Sequence, residues 1–232
     1  MNLEEFKIEC KKHGYDLSDE QLNQFDTYAL LLQEYNEKVN LTAITQYEEI
    51  IEKHFYDSIL PFFEFNDFKT LCDVGAGAGF PSIPLKIIMP DKEITIVETL
   101  NKRCIFLDVL VKQIGLKNVT IVNARAEEYS KEKRESYDVV TARAVANLNM
   151  LSELCIPLVK VNGYFIVLKG SQGENEYEEA YNAIKLLGCK LELKKIETLS
   201  DDSKRINLYL KKISKTPRAY PRQFSKIKKM PL

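Results

Sequence analysis

The chain has 232 residues, is 45% apolar and carries a formal net charge of -1, which is enough for one domain with a full core plus an extension, or at most two small domains. No apolar stretch approaches the roughly 18 to 20 residues needed to span a bilayer, and the acidic start MNLEEFKIEC does not read as a secretory leader. These features predict a cytoplasmic protein with no membrane partner.

The near-zero charge hides an asymmetry. Residues 1–60 hold 13 acids against 5 Lys and Arg, whereas residues 203–232 hold 10 Lys and Arg and no acid. Five cysteines, Cys10, Cys72, Cys104, Cys155 and Cys189, are scattered without a C-x-x-C pair. The two histidines add no ligand spacing. Neither a disulfide framework nor a metal site is expected, and the thiols are expected to be buried and inert.

In chain order, the first 60 residues read as helices. Leu22, Phe25, Tyr28, Ala29, Leu32 and Tyr35 recur at helical spacing, and Ser18 ahead of Asp19 and Glu20 has the character of an N-cap. From residue 70 short apolar runs alternate with amphipathic segments. Thr70 to Val74, Ile94 to Val97, Val119 to Val122, Tyr137 to Val140 and Gly163 to Leu168 read as strands. Helices are expected at Ala78 to Met89, Asn101 to Ile114, Leu148 to Val159 and Glu174 to Leu187. Such alternation predicts an α/β fold with a mostly parallel sheet covered on both faces. Lys190 to Ile196 and Arg205 to Ile213 have no helix between them and are expected to pair as an antiparallel edge. The expected division is a helical extension over 1–65, a core domain over 66–213 and a basic, proline-containing tail over 214–232.

In open sheets of this kind ligands sit beyond the carboxyl ends of the strands. The first strand runs into DVGAGAGF, residues 73–80. Neither Gly75 nor Gly77 starts the G-x-G-x-x-G spacing of a dinucleotide fingerprint. The pattern is D-x-G-x-G-x-G, with Asp73 ahead of Gly75, Gly77 and Gly79. A carboxylate there repels a pyrophosphate but suits a cation, and S-adenosylmethionine carries an ammonium and a sulfonium without a phosphate. Glu98 closes the second strand, where an acid accepts hydrogen bonds from both hydroxyls of a ribose. Ala126 and Glu127, after the third strand, are expected beside an adenine ring.

The fourth strand leads into YDVVTARAVANL. An (N/D)-P-P-(Y/F) element, which amino-group methylation would show, is absent. Cys72 and Cys155 are poorly placed as nucleophiles for carbon methylation. Clustered acids with a histidine, as in metal-assisted oxygen methylation, are also missing. The N7 of guanine needs no deprotonation, so a site that only positions it is compatible with this sequence though not established by it.

Several stretches follow one another in the order VNLTAIT, KHFYDSI, DVGAGAGFPSIPLKI, ETLNKRCIFL, ARAEEY, TARAVANL and VLKG. This series, from about residue 36 to the C-terminus, resembles the bacterial small-subunit (16S) ribosomal RNA guanine-N7 methyltransferases, also called the glucose-inhibited division protein B family. Ala78 stands where many members have proline. The resemblance implies a class I S-adenosylmethionine-dependent, Rossmann-like fold with N-terminal helices. It also implies methylation of one guanine in the decoding region of small-subunit rRNA, on the RNA or the 30S particle; separately, nothing in the sequence demands more than a monomer. Carried across, it places cofactor contacts on Gly75, Phe80, Ala126, Glu127 and Arg143, with Thr99 and Leu100 beside the ribose position. Asp73, Gly77, Gly79 and Glu98 join them from the residue chemistry.

Arg143 ends the fourth strand, where a cofactor carboxylate, an RNA phosphate or a loop acid could each engage it, and it is the one candidate catalytic residue. Lys169 in LKG suits a phosphate or simple edge solvation. Asn40 and His54 are expected to shape the pocket, His54 as a packing residue. In the tail, Arg218 and Arg222, with Tyr220 and Phe224 among prolines, suit an RNA backbone. A small-molecule methyltransferase with the N-terminal helices as a lid, a NAD-dependent oxidoreductase and a non-catalytic binding module are the competing readings.

Overall fold

The computed structural model describes residues 1–143 and 145–232. Ala144, within TARAVANL, lies outside the described residues. The chain divides into two compact units, Met1–Lys69 with Ala76–Asn123 and Thr70–Gly75 with Ala124–Leu232. Its strands form a seven-stranded sheet in the order β3-β2-β1-β4-β5-β7-β6.

The first unit begins with α1 (Leu3–Lys12) and α2 (Asp19–Val39), both opened by capping boxes, from Asn2 with Glu5 and from Ser18 with Gln21. The expected stripe on α2 is the face that packs: Phe25, Tyr28, Ala29 and Leu32 are all buried. Next come α3 (Tyr47–Glu49), a π-helical stretch over Ile50–Tyr56, α4 (Asp57–Ile59) and a 3-10 turn at Leu60–Phe62. Phe6, Phe25, Phe55 and Tyr28 interlock with ring centroids 4.8–5.1 Å apart. Burying each such ring contributes about 1.5–3 kcal/mol. Then follow α5 (Ser82–Ile88), β2 (Glu93–Glu98), α6 (Asn101–Gln113) and β3 (Val119–Asn123), with β2 and β3 parallel. Three side chains of α2 bond the backbone below them. Gln21 Nε2 donates to Ile87 O at 2.7 Å, Gln24 Nε2 to Ile114 O at 2.8 Å, and Tyr28 Oη to Ala78 O at 2.5 Å.

The second unit holds β1 (Thr70–Val74), α7 (Ala126–Glu132), β4 (Tyr137–Arg143), α8 (Leu148–Cys155), a 3-10 turn at Ile156–Leu158, β5 (Val159–Lys169), α9 (Gly173–Leu186), β6 (Cys189–Thr198), β7 (Lys204–Lys212) and α10 (Phe224–Lys229). β1, β4 and β5 are parallel, and β5–β7 and β7–β6 are antiparallel, so the expected antiparallel edge is present.

Two helix limits differ from the sequence reading by more than one residue. The helix expected from Ala78 begins at Ser82, because Gly79 at φ +105° holds the chain outside the helical region until Pro81. The helix expected to run to Val159 stops at Cys155, ahead of Pro157, which has no N–H to continue it. The strand expected from Gly163 therefore starts four residues earlier, at Val159.

Candidate functional site

In the first unit the site is built around Glu98. Its carboxylate closes β2 with only 2% of its surface exposed. Oε2 accepts the Gly77 N–H at 3.1 Å, and Oε1 accepts the Leu100 N–H at 2.9 Å. Arg103, in the first turn of α6, brings Nη1 to 3.6 Å from Oε2. Asn123, paired with Glu98 across β2 and β3, donates from Nδ2 to the carbonyls of Glu98 at 3.0 Å and Thr99 at 3.1 Å. The Thr99 hydroxyl adds a longer contact to Oε1 at 3.4 Å, so the carboxylate is held in one orientation, with Oε2 accepting a single hydrogen bond, from Gly77. A ribose diol, which donates from two hydroxyls, requires such a fixed acceptor pair.

The three loop glycines differ in role. A Cβ at Gly77 would meet nothing nearer than Arg103 Nη1 at 3.9 Å, so a ligand can approach the main chain there. A Cβ at Gly79 would lie 2.7 Å from Ile83 Cγ1 and 2.8 Å from Tyr28 Oη, so this glycine lets neighbouring side chains pack. In the second unit a Cβ at Gly75 would lie 2.8 Å from Val145 Cγ2, which covers that peptide. The positive φ of all three favours glycine independently of space.

Phe80 is buried and stacks on His54 with centroids 4.3 Å apart and on Tyr28 at 5.5 Å. His54 Nε2 lies 2.7 Å from Thr42 Oγ1. The VNLTAIT and KHFYDSI stretches therefore reach the glycine loop through Thr42, His54 and Phe80, and His54 is a packing residue. Asn40 ends α2 as a left-handed C-cap at φ 51°.

In the second unit Asp73 is fully buried and lies in register with Thr141, and Arg143 closes β4 opposite Leu168. Ala126 and Glu127 are buried in the first turn of α7. Lys169 is neither solvated nor exposed, with its side chain 8% accessible. Its Nζ pairs with Glu176 Oε2 at 2.6 Å and donates to Ala146 O at 2.7 Å, while the same Glu176 oxygen accepts the Leu148 N–H. This corrects the edge-solvation reading: Lys169 braces the segment after β4 against α9. Arg222 grips Glu153, and Arg218 is exposed.

The thiols of Cys72 and Cys155 are fully buried, and desolvation pushes both well above the ordinary range. Burial likewise pushes Cys10 and Cys189 up to about 12. Burial thus disfavours the thiolate of Cys72 and of Cys155, which argues against them as carbon-methylation nucleophiles. Among the described residues no group of three or more His, Cys, Asp or Glu is placed to hold a metal ion. No helix is long and apolar enough to cross a membrane among the described residues.

A family profile described as rRNA small subunit methyltransferase G matches residues 21–209. The chain belongs to this family. Among rRNA small subunit methyltransferase G proteins, it is 51% identical to that of Lactobacillus johnsonii, over 100% of both chains. It is 52% identical to that of Macrococcus caseolyticus, over 100% of this chain and 99% of the relative. Solved structures show the class I methyltransferase fold at much lower identity. M. jannaschii TYW2 in complex with AdoMet superposes with a TM-score of 0.57 at 17% identity, covering 69% of this chain and 76% of that one. The 16S rRNA (adenine(1408)-N(1))-methyltransferase from Catenulisporales acidiphilia gives 0.53 at 13%, covering 65% and 87%.

Several members of this arrangement were not singled out from sequence. Arg103 and Tyr28, which hold Glu98 and the glycine loop, read as ordinary helix residues. Glu176 and Glu153 were not singled out either, although Glu153 lies within the apolar run LNMLSELCIPL and so carries the signal of a buried charge in need of a partner.

Proposed function

We propose that this chain transfers a methyl group from S-adenosylmethionine to N7 of one guanine in small-subunit ribosomal RNA, acting as a cytoplasmic monomer. The observation that carries the reading is the buried Glu98 carboxylate, fixed by two backbone N–H groups beside the open face of Gly77. Family membership supports the reaction class. Residues 66–213 carry the chemistry and 214–232 the RNA contact.

Glu98 accepts the ribose hydroxyls, with Thr99 and Leu100 flanking it. Buried Asp73, Gly75 and Gly79 shape the ground around the cationic end of the cofactor, and Phe80 supports the loop from below. Ala126 and Glu127 border the adenine, and Arg143 faces the cofactor carboxylate. Bound S-adenosylmethionine supplies an electrophilic methyl on a sulfonium. N7 of guanine already carries a lone pair, so the protein needs only to align it. Positioning of this kind is worth up to about 7–11 kcal/mol of barrier. The N-terminal helix α2 is bonded at three points to the backbone of its own unit, which favours a fixed helix over a lid.

Labelled methyl transfer to small subunits lacking the modification, followed by nucleoside analysis, is expected to return the label as 7-methylguanosine. Label in any other nucleoside would overturn the assignment of the acceptor atom.

A further inference from the structure

The basic C-terminal segment is a docked element. Arg134 donates from Nη1 to Tyr220 O at 2.7 Å, and from Nη2 to Thr216 O at 2.6 Å and Pro217 O at 3.0 Å. Thr216 donates its N–H to Glu135 Oε1 at 2.9 Å and its hydroxyl to Leu187 O at 2.8 Å. Arg222 donates its backbone N–H and its guanidinium to Glu153, with Nη2 2.6 Å from Oε2, and Ile227 of α10 is buried. The chain from Thr216 to Ile227 therefore follows a fixed course.

That course creates a groove of about 600 Å³ between the C-terminal segment and α7, lined by Arg125, Lys131, Phe224 and Lys228 along with Glu127 and Glu128. Arg125, Lys131 and Lys228 are exposed, whereas the charge of Arg222 is neutralised by Glu153. The Arg125 guanidinium lies 4.8 Å from the centre of the Phe224 ring. Exposed cations beside a paired guanidinium and aromatic ring match a chain that alternates phosphates with planar bases. An acidic protein segment would satisfy the lysines but would bring no series of flat rings to the Arg125–Phe224 platform. Glu127 is buried, which leaves Glu128 as the exposed acid in the wall. A carboxylate there accepts from the amino edge of a base. Arg125 directly precedes Ala126, the first of the two residues assigned to the adenine.

We propose that this groove is an RNA-binding site alongside the transfer centre, sharing only Glu127 with the residues assigned to the cofactor, with Lys131 and Lys228 on backbone phosphates and a base packed on Arg125 and Phe224. It rests on the rRNA methyltransferase reading above. The test measures binding of unmodified naked 16S rRNA and of 30S subunits, from about 50 to about 200 mM salt, by the wild type, by Lys131→Ala with Lys228→Ala, and by Arg125→Ala. All three replaced side chains are exposed. For the double variant, affinity for naked rRNA is expected to fall roughly tenfold near 100 mM salt. Its log–log salt slope should become shallower by about 1.4, two single-strand phosphate contacts. Arg125→Ala should weaken binding with a smaller change in slope. Calorimetric affinity for S-adenosylmethionine should stay at the wild-type value in every variant.

Unchanged rRNA affinity and slope would overturn the proposal. So would weakened binding to subunits with unchanged binding to naked rRNA, which would assign the groove to a ribosomal protein. A parallel loss of S-adenosylmethionine affinity would overturn it by making the groove part of the cofactor site. A wild-type protein that bound no S-adenosylmethionine, yet showed the rRNA losses above, would refute the methyltransferase reading and leave the groove standing.

Discussion

Glu98→Ala is expected to lower the affinity for S-adenosylmethionine by on the order of 100-fold or more. Two ribose hydroxyls donating to an ionised acceptor are worth about 1.5–3 kcal/mol each, and about 1.4 kcal/mol is a factor of ten. The substitution also removes the acceptor of the Gly77 and Leu100 N–H groups and the partner of Arg103, so the loop loses its fixed shape. Glu98→Gln separates the two effects. It keeps one carbonyl acceptor and roughly the same volume but turns its amide NH2 toward the N–H of Gly77 or Leu100, so it is expected to disturb the loop less than Glu98→Ala and to lose about tenfold in affinity. Calorimetric titration of both variants reads the result. Parental affinity in Glu98→Ala would remove Glu98 from the cofactor site.

Arg222→Ala is expected to be the most destabilising single change in the C-terminal segment. Glu153 is fully buried on α8, and Arg222 contacts it through the backbone N–H, Nε and Nη2 at 2.6–3.1 Å. The same contact holds the Arg222 guanidinium above its ordinary range. Removing one partner of such a pair leaves a buried charge uncompensated and costs about 3–5 kcal/mol. At about 2–4 °C per kcal/mol for a chain of this size, the Tm should drop by about 6–20 °C in scanning calorimetry. Combining Arg222→Ala with Glu153→Gln should recover much of that loss, because a neutral amide is far cheaper to bury than a carboxylate. A Tm within about 2 °C of the parent for Arg222→Ala alone would mean that the pair carries little stability.

Much of the fold is legible in local pattern. Ser18 caps α2 because its hydroxyl and Gln21 satisfy each other within one turn, and the strands with Asp73 and Glu98 at their ends follow from short apolar runs. What the residues conceal is contact between distant positions. His54 meets Phe80, Lys169 meets Glu176 under Ala146, and Arg222 crosses 69 residues to reach Glu153. No periodicity encodes such pairs. The C-terminus shows the consequence: ten cations without an acid over residues 203–232 read as an arm that tracks a phosphate backbone, with Arg222 as an RNA ligand, whereas the structure employs that arginine as an anchor. The acid buried in LNMLSELCIPL was the available clue, since a buried carboxylate requires a cation and the tail holds the surplus. The π-helical stretch at Ile50–Tyr56 and the unequal roles of Gly75, Gly77 and Gly79 likewise depend on neighbours that the local sequence does not specify.

We propose that the glycine loop with its flanking carboxylates Asp73 and Glu98 holds S-adenosylmethionine. It is tested most directly by parallel calorimetric titrations of the wild-type protein with S-adenosylmethionine and with NAD. Saturable binding of S-adenosylmethionine at micromolar concentration, with none for the dinucleotide whose pyrophosphate would meet Asp73, is the expected result. Saturable uptake of NAD with no heat from S-adenosylmethionine would contradict it.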